Sequence, residues 1–276
     1  MANRELDHSE MIAALEWYSA VGVDVSVGEV AVDRFAESAR AASALTGEKG
    51  RPRPAPAMPA ARTEPPPVPT LGGVEDGDPQ SARELAQSAD TLDALRAALD
   101  GFEGCQLKLR ATNLVFADGN PEAEIMLVGE APGRDEDLQG KPFVGRSGQL
   151  LDRMLGAIGL DRDSVYIANT VPWRPPGNRT PAPAEVAVCL PFLHRQIELV
   201  APKVLVTLGG AASATLFETD TGITRLRGTW RDLEVGSHSM RAIATLHPAY
   251  LLRQPAAKRL AWQDMLAIAD AMGRAS

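Results

Sequence analysis

From about residue 101 onward, short apolar runs alternate with longer stretches of helical period. EIMLV at 124–128, SVYIA at 164–168, KVLVTL at 203–208 and RAIATL at 241–246 read as strands, while 147–158, 183–199, 210–217 and 257–272 read as helices. Strands that are apolar throughout, with helices between them, predict an α/β fold in which helices cover both faces of a mostly parallel sheet. Upstream, Leu6, Met11, Ile12, Leu15 and Tyr18 give residues 5–21 the pattern of a short amphipathic helix, and 30–46 allow a second. RPRPAPAMPAARTEPPPVPTLGG at 51–73 has little to bury and reads as a flexible linker. Helical period resumes over 81–102. The predicted organisation is an acidic N-terminal region (1–50), a Pro/Ala-rich linker (51–78) and a folded domain (79–276), with no internal repeat.

The net charge of −8 appears to disfavour a polyanionic partner, but it is unevenly distributed. Residues 1–100 hold 17 acids against 9 bases, whereas 101–276 hold 19 of each, so the domain itself is neutral and its arginines can still form a basic face. No apolar run approaches the ~18 residues that span a bilayer. The first residues are acidic where a secretory leader is basic, so no leader or membrane anchor is expected. Cys105 and Cys189 are too few for a disulfide framework, which favours a cytoplasmic setting.

Ligands of such sheets bind beyond the carboxyl ends of the strands. The four runs lead into Gly129-Glu130-Ala131-Pro132-Gly133, Asn169, Gly209-Gly210 and His247-Pro248. The glycines at 129 and 133 do not have dinucleotide-loop spacing, which excludes that reading. Glu130 either caps a helix or positions a water or sugar. Asn169 is either a turn residue or an amide that pairs with the C=O and N–H of a pyrimidine edge. His247 is either a satisfied core histidine or a catalytic donor. Phe143, in a loop bounded by glycine and proline, is core packing or a stacking platform for a planar ring. Arg146, Ser147 and Gly148 open a helix whose N-terminus suits a phosphate, and Gly209-Gly210 offers a second such place. HPAYLLRQP at 247–255 either starts the last helix or forms a loop whose apolar tip enters a DNA stack while Arg253 holds a phosphate.

As a set and in this order, GEAPG (129–133) followed by Glu136 and Asp137, GKPFVG (140–145), SGQLLD (147–152), VYIANTV (165–171), RPPGNRTP (174–181), LGGAA (208–212) and HPAYLLR (247–253) resemble the family 4 uracil-DNA glycosylases. The resemblance covers about 100–272 and implies a three-layer α/β/α domain around a four-stranded parallel sheet. It also implies hydrolysis of the N-glycosidic bond of deoxyuridine in single- or double-stranded DNA. Gly129, Phe143 and Asn169 would then bind uracil, with His247 donating to its O2. Glu130 or Glu136 would position the water, and both remain candidates. Arg146, Ser147, Gly209, Gly210, Leu251, Leu252 and Arg253 would contact DNA, the leucines filling the gap left by the flipped base.

The same family carries an iron–sulfur cluster on four cysteines, and the chain departs from it there. Phe102 and Trp173 stand at two of the ligand positions and Cys105 and Cys189 at the others. Neither aromatic ligates iron, so no cluster and no other cofactor is expected. The aromatics would instead plug the vacated volume. A related branch traps its product through a histidine after the asparagine strand. Residues 170–188 contain Arg174 and Arg179 but no histidine, so turnover is expected. Two rival readings are a catalytically weak DNA-binding or recruitment protein and a hydrolase of free nucleosides. The N-terminal region either docks on a repair or replication protein, packs on the domain or shields its basic face, and the domain is expected to act as a monomer.

Overall fold

A computed structural model describes residues 77–273. Residues 1–76, with the helices expected at 5–21 and 30–46 and nearly all of the expected linker, lie outside the described residues.

Two helices open the described chain, α1 (Pro79–Gln87) and α2 (Leu92–Gly101). A single helical segment was expected over 81–102, and Thr91 accounts for the split. Its hydroxyl accepts from Ala94 N at 3.1 Å and starts a second helix, much as Asp78 caps the first. There follow β1 (Asp118–Gly119), β2 (Ile125–Gly129), α3 (Arg134–Gln139), α4 (Arg146–Gly156), β3 (Tyr166–Asn169), α5 (Pro183–Val200) and β4 (Val204–Leu208). The chain continues through α6 (Gly210–Leu216), α7 (Ile223–Leu226), β5 (Trp230–Val235), β6 (His238–Thr245), α8 (Pro248–Arg253) and α9 (Lys258–Ala271).

The sheet order is β1-β3-β2-β4-β6-β5. Its four inner strands are parallel, and they are the four apolar runs of the sequence. Four strands were expected, but the sheet has six, because β1 and β5 add antiparallel edges. Both edges lack the continuous apolar signal of a strand buried on two faces. β1 is two residues long, and β5 is half exposed along most of its length.

Alternation along the strands divides the core into two layers. Ile125, Leu127, Ile167, Val204, Val206 and Ile243 pack with Leu151 and Leu155 of α4 and Met265 and Ile268 of α9. Met126, Val128, Ala168, Leu205 and Ala242 pack with Leu193 and Ile197 of α5 and Leu216 of α6. The inner strands are therefore buried on both faces, and their carboxyl ends emerge together at one rim. A third cluster joins α1 and α2 to α5 through Ala82, Ala86, Leu95, Leu99, Phe102, Trp173 and Phe192.

Candidate active site

At that rim lies a cleft of about 660 Å³, walled by Glu130, Phe143, Asn169, Gly209 and His247, with Ser147, Tyr250 and Arg253 at its sides. Strand register accounts for the convergence. Gly129 pairs with Asn169 across β2 and β3, and the ladder continues past the sheet as Thr170 N donates to Gly129 O (2.9 Å) and Val171 N to Glu130 O (3.1 Å). The Thr170 hydroxyl also donates to Glu130 O at 2.6 Å, which fixes the backbone that carries the glutamate.

Gly129 allows a close approach. A Cβ there would lie 2.5 Å from Asn169 Oδ1 and 2.7 Å from Phe143 Cζ, so amide and ring both rest against the bare backbone. Gly209 does the same for His247, whose Cβ would lie 2.8 Å from a Cβ at 209, and its φ of +95° is one that L side chains rarely adopt. The Phe143 and His247 rings lie with centroids 5.5 Å apart and planes inclined by 31°. Among the described residues, four buried side-chain polar atoms lack a hydrogen-bond partner, and Glu130 Oε1 and Asn169 Oδ1 are two of them. Leaving such acceptors unmatched costs stability, so their presence in a cleft points to a ligand that satisfies them.

The two glutamates occupy different settings. Glu136 Oε1 accepts from Val144 N (3.0 Å) and Gly145 N (2.9 Å), and its Oε2 accepts from Gly133 N (3.1 Å). Both of its oxygens therefore hold loop backbone. Asp137 ties Thr112 and Asn113 in the same manner, through bonds of 2.7–3.2 Å.

His247 is the N-cap of α8, and its Nδ1 accepts from Ala249 N at 3.1 Å. The proton of the neutral ring therefore sits on Nε2. Burial, and secondarily the charge of Arg253, push the ring's pKa down to about 4, so it is neutral at physiological pH.

Segment 248–253 is helical, because Pro248 at its first turn and the His247 cap initiate α8. Its helical phase buries Leu251 against Leu246 and Ala261, leaving Tyr250 and Leu252 as the exposed apolar pair beside exposed Arg253. Ser147, Gly209 and Gly210 line the cleft, whereas Arg146 is exposed and is not among its lining residues. The sequence reading missed Ile223 and Thr224 of α7, which form part of the wall; four residues without a turn motif gave no signal. Arg179 also lines the cleft, and it forms two hydrogen bonds to Glu185, at 2.8 and 2.6 Å.

Cys105 and Cys189 are buried with their sulfurs 3.7 Å apart, in one apolar cluster with Phe102 and Trp173. The Phe102 ring packs on Phe192 with centroids 5.2 Å apart, and Gly104 makes room for it, since a Cβ there would lie 2.4 Å from Phe102 Cζ. Two thiols among aromatic rings are half of the four-cysteine set that commonly holds an iron–sulfur cluster. No group of three or more His, Cys, Asp or Glu suited to a metal occurs among the described residues.

Comparison with known proteins identifies the family of the chain. The family described as the Uracil DNA glycosylase superfamily matches residues 116–266. The chain is 41% identical over 189 residues to the type-4 uracil-DNA glycosylase of Archaeoglobus fulgidus, covering 67% of this chain and 95% of that one. It is 39% identical over 186 residues to the enzyme of the same name from Sulfurisphaera tokodaii (66% and 84% of the two chains). With that of Thermotoga maritima the identity is 47% over 152 residues, covering 54% and 77%.

Proposed function

The chain belongs to the uracil DNA glycosylase superfamily, and from that premise we propose that it takes deoxyuridine out of the DNA stack and hydrolyses its N-glycosidic bond. The products are free uracil and an abasic site. The observation that carries this reading is the convergence of Phe143, Asn169, Glu130 and His247 on one cleft, two of them pressed against Gly129 and one against Gly209.

Extruding the nucleotide costs a few kcal/mol, which the pocket must return through contacts to the base. In this reading Phe143 stacks on uracil, and the Asn169 amide pairs with its polar edge. As the bond to C1′ breaks, the base gains negative charge and the sugar positive charge. His247 Nε2–H donates to uracil O2, and a preorganised donor of this type is worth about 3–4 kcal/mol in the transition state. Glu130 orients the water that adds to C1′ and accepts its proton, and the carboxylate faces the cationic sugar. Glu136 is assigned a different part, holding the loop that carries Phe143, because its oxygens are already engaged by three backbone amides. Ser147, Gly209, Gly210 and Arg253 serve the phosphates, and the exposed side chain of Leu252 enters the gap left by the base.

The reading includes no iron–sulfur cluster, since the donor set is two cysteines packed with Phe102 and Trp173. Among the described residues no helix is long and apolar enough to cross a membrane. We assign the N-terminal region, residues 1–50, to contact with a repair or replication protein, and the domain to monomeric action in the cytoplasm.

The test is an oligonucleotide with a single uracil, incubated with iron-free protein and then treated with alkali, beside thymine and cytosine controls. Cleavage confined to uracil and lost in the Asn169→Ala/His247→Ala variant is expected. Absence of cleavage by the intact protein would favour a DNA-binding or recruitment role, and equal release from free deoxyuridine would favour a nucleoside hydrolase.

A further inference from the structure

Arg162 lies outside the cleft lining, in the short turn before β3, yet its guanidinium reaches the loop that carries Phe143. Its Nη2 donates to the Phe143 carbonyl and its Nη1 to the Pro142 carbonyl at 3.2 Å. The arginine is itself held at two further points, by Asp118 of β1 through Nη1 (2.7 Å) and by Asp152 of α4 through Nε (2.9 Å). Lys141 adds a contact to Asp118 at 3.2 Å. Burial alone would raise the Asp118 carboxyl, but hydrogen bonds from Arg162 and Lys141 outweigh it and keep that group below its ordinary range.

The loop needs such a hold. Phe143 sits at φ +54°, in the left-handed region that costs a bulky residue energy and persists only where its surroundings impose it. Its carbonyl also crowds the first turn of α4, where a Cβ on Gly148 would lie 1.7 Å from Phe143 O. Glu136 grips the amides of the loop at Val144 and Gly145. Arg162 grips its carbonyls.

We infer that Arg162 is a positioning residue for uracil recognition: seated on Asp118 and Asp152, it fixes the backbone of Phe143 and so the plane on which the base stacks. The inference rests on the assignment of Phe143 as the platform in the proposed function. A lysine carries the same charge but cannot present a planar fork to four acceptors at once. This also gives the two-residue strand β1 a part in the site, because it supplies Asp118.

The test compares Arg162→Lys, Phe143→Ala and the double variant by three readouts: inhibition by free uracil, kcat/KM on the uracil oligonucleotide, and amide hydrogen exchange at Val144 and Gly145 without ligand. In the otherwise native protein, Arg162→Lys should weaken uracil inhibition and lower kcat/KM by about tenfold each. In the Phe143→Ala background the same change should alter both by less than about twofold, because its route of action is gone. Asp118→Asn, which keeps the guanidinium but loosens its seat, should give a smaller loss in the same direction. Equal losses in both backgrounds would make Arg162 a general stabiliser and overturn the inference, as would native uracil inhibition in folded Arg162→Lys. If the intact protein neither binds nor releases uracil, the functional reading itself fails. The exchange measurement then still judges the clamp: faster exchange at 144–145 in Arg162→Lys supports it, and unchanged exchange refutes it.

Discussion

Replacing Gly129 by alanine should separate activity from stability. The new methyl would lie 2.5 Å from Asn169 Oδ1 and 2.7 and 2.8 Å from Phe143 Cζ and Cε2. Ordinary carbon contacts begin at about 3.5 Å, so the amide and the ring must each retreat by roughly 1 Å. Both obstacles are side-chain ends bordering a cleft, so the fold can yield cheaply. Gly129 is not among the positive-φ glycines, and alanine in an unstrained strand position gains about 0.4–1 kcal/mol through the unfolded state. The site cannot yield as cheaply, since a misplacement near 1 Å costs on the order of a hundredfold in rate. Gly129→Ala should therefore unfold at or slightly above the native temperature in a circular-dichroism melt while losing about a hundredfold in single-turnover cleavage. A variant that melts natively and cleaves within about threefold of the native rate would refute the close-approach argument and this assignment of the uracil slot.

Two further predictions address protonation and the cysteine cluster. Because the pKa of His247 is pushed down to about 4, its neutral form should persist through pH 6, and the acid limb of kcat/KM should lie below pH 5, where Nδ1 takes a proton and loses the Ala249 cap; an inflection near 6.5 would refute this. The folded pKa is below the unfolded value, so the unfolded chain binds more protons between the two and this histidine's contribution to stability falls as pH drops from about 6.5 towards 4. The second variant is Phe102→Cys/Trp173→Cys, which replaces two large buried aromatics with small side chains and should destabilise the iron-free protein by several kcal/mol, about 3 or more per site. Anaerobic reconstitution with iron and sulfide should restore stability and give visible absorption in this variant, and only background absorption in the native chain.

How much of this was legible in the sequence depended on whether a residue's role was local. The inner strands were legible because each is a run of four or more buried residues, and the strand-end positions 129–130, 169, 209 and 247 followed from them. β5 was not, because WRDLEV at a half-exposed edge carries a weak alternation. Glu130 and Glu136 were indistinguishable as letters; only folding brings the amides of 133, 144 and 145 onto one of them. Leu251 and Leu252 exchange core for surface according to the phase of α8, which the cap at His247 sets. Arg162 gave no sign, since its partners Asp118, Pro142, Phe143 and Asp152 are scattered along the chain.

The cluster that joins α1 and α2 to α5 also bears on temperature. A fastening made of buried apolar side chains and two thiols relies on the hydrophobic effect, which weakens on cooling. Coordination bonds show no such trend. The seam around Trp173 therefore weakens on cooling together with the two apolar layers of the sheet, with no coordination bond to hold it.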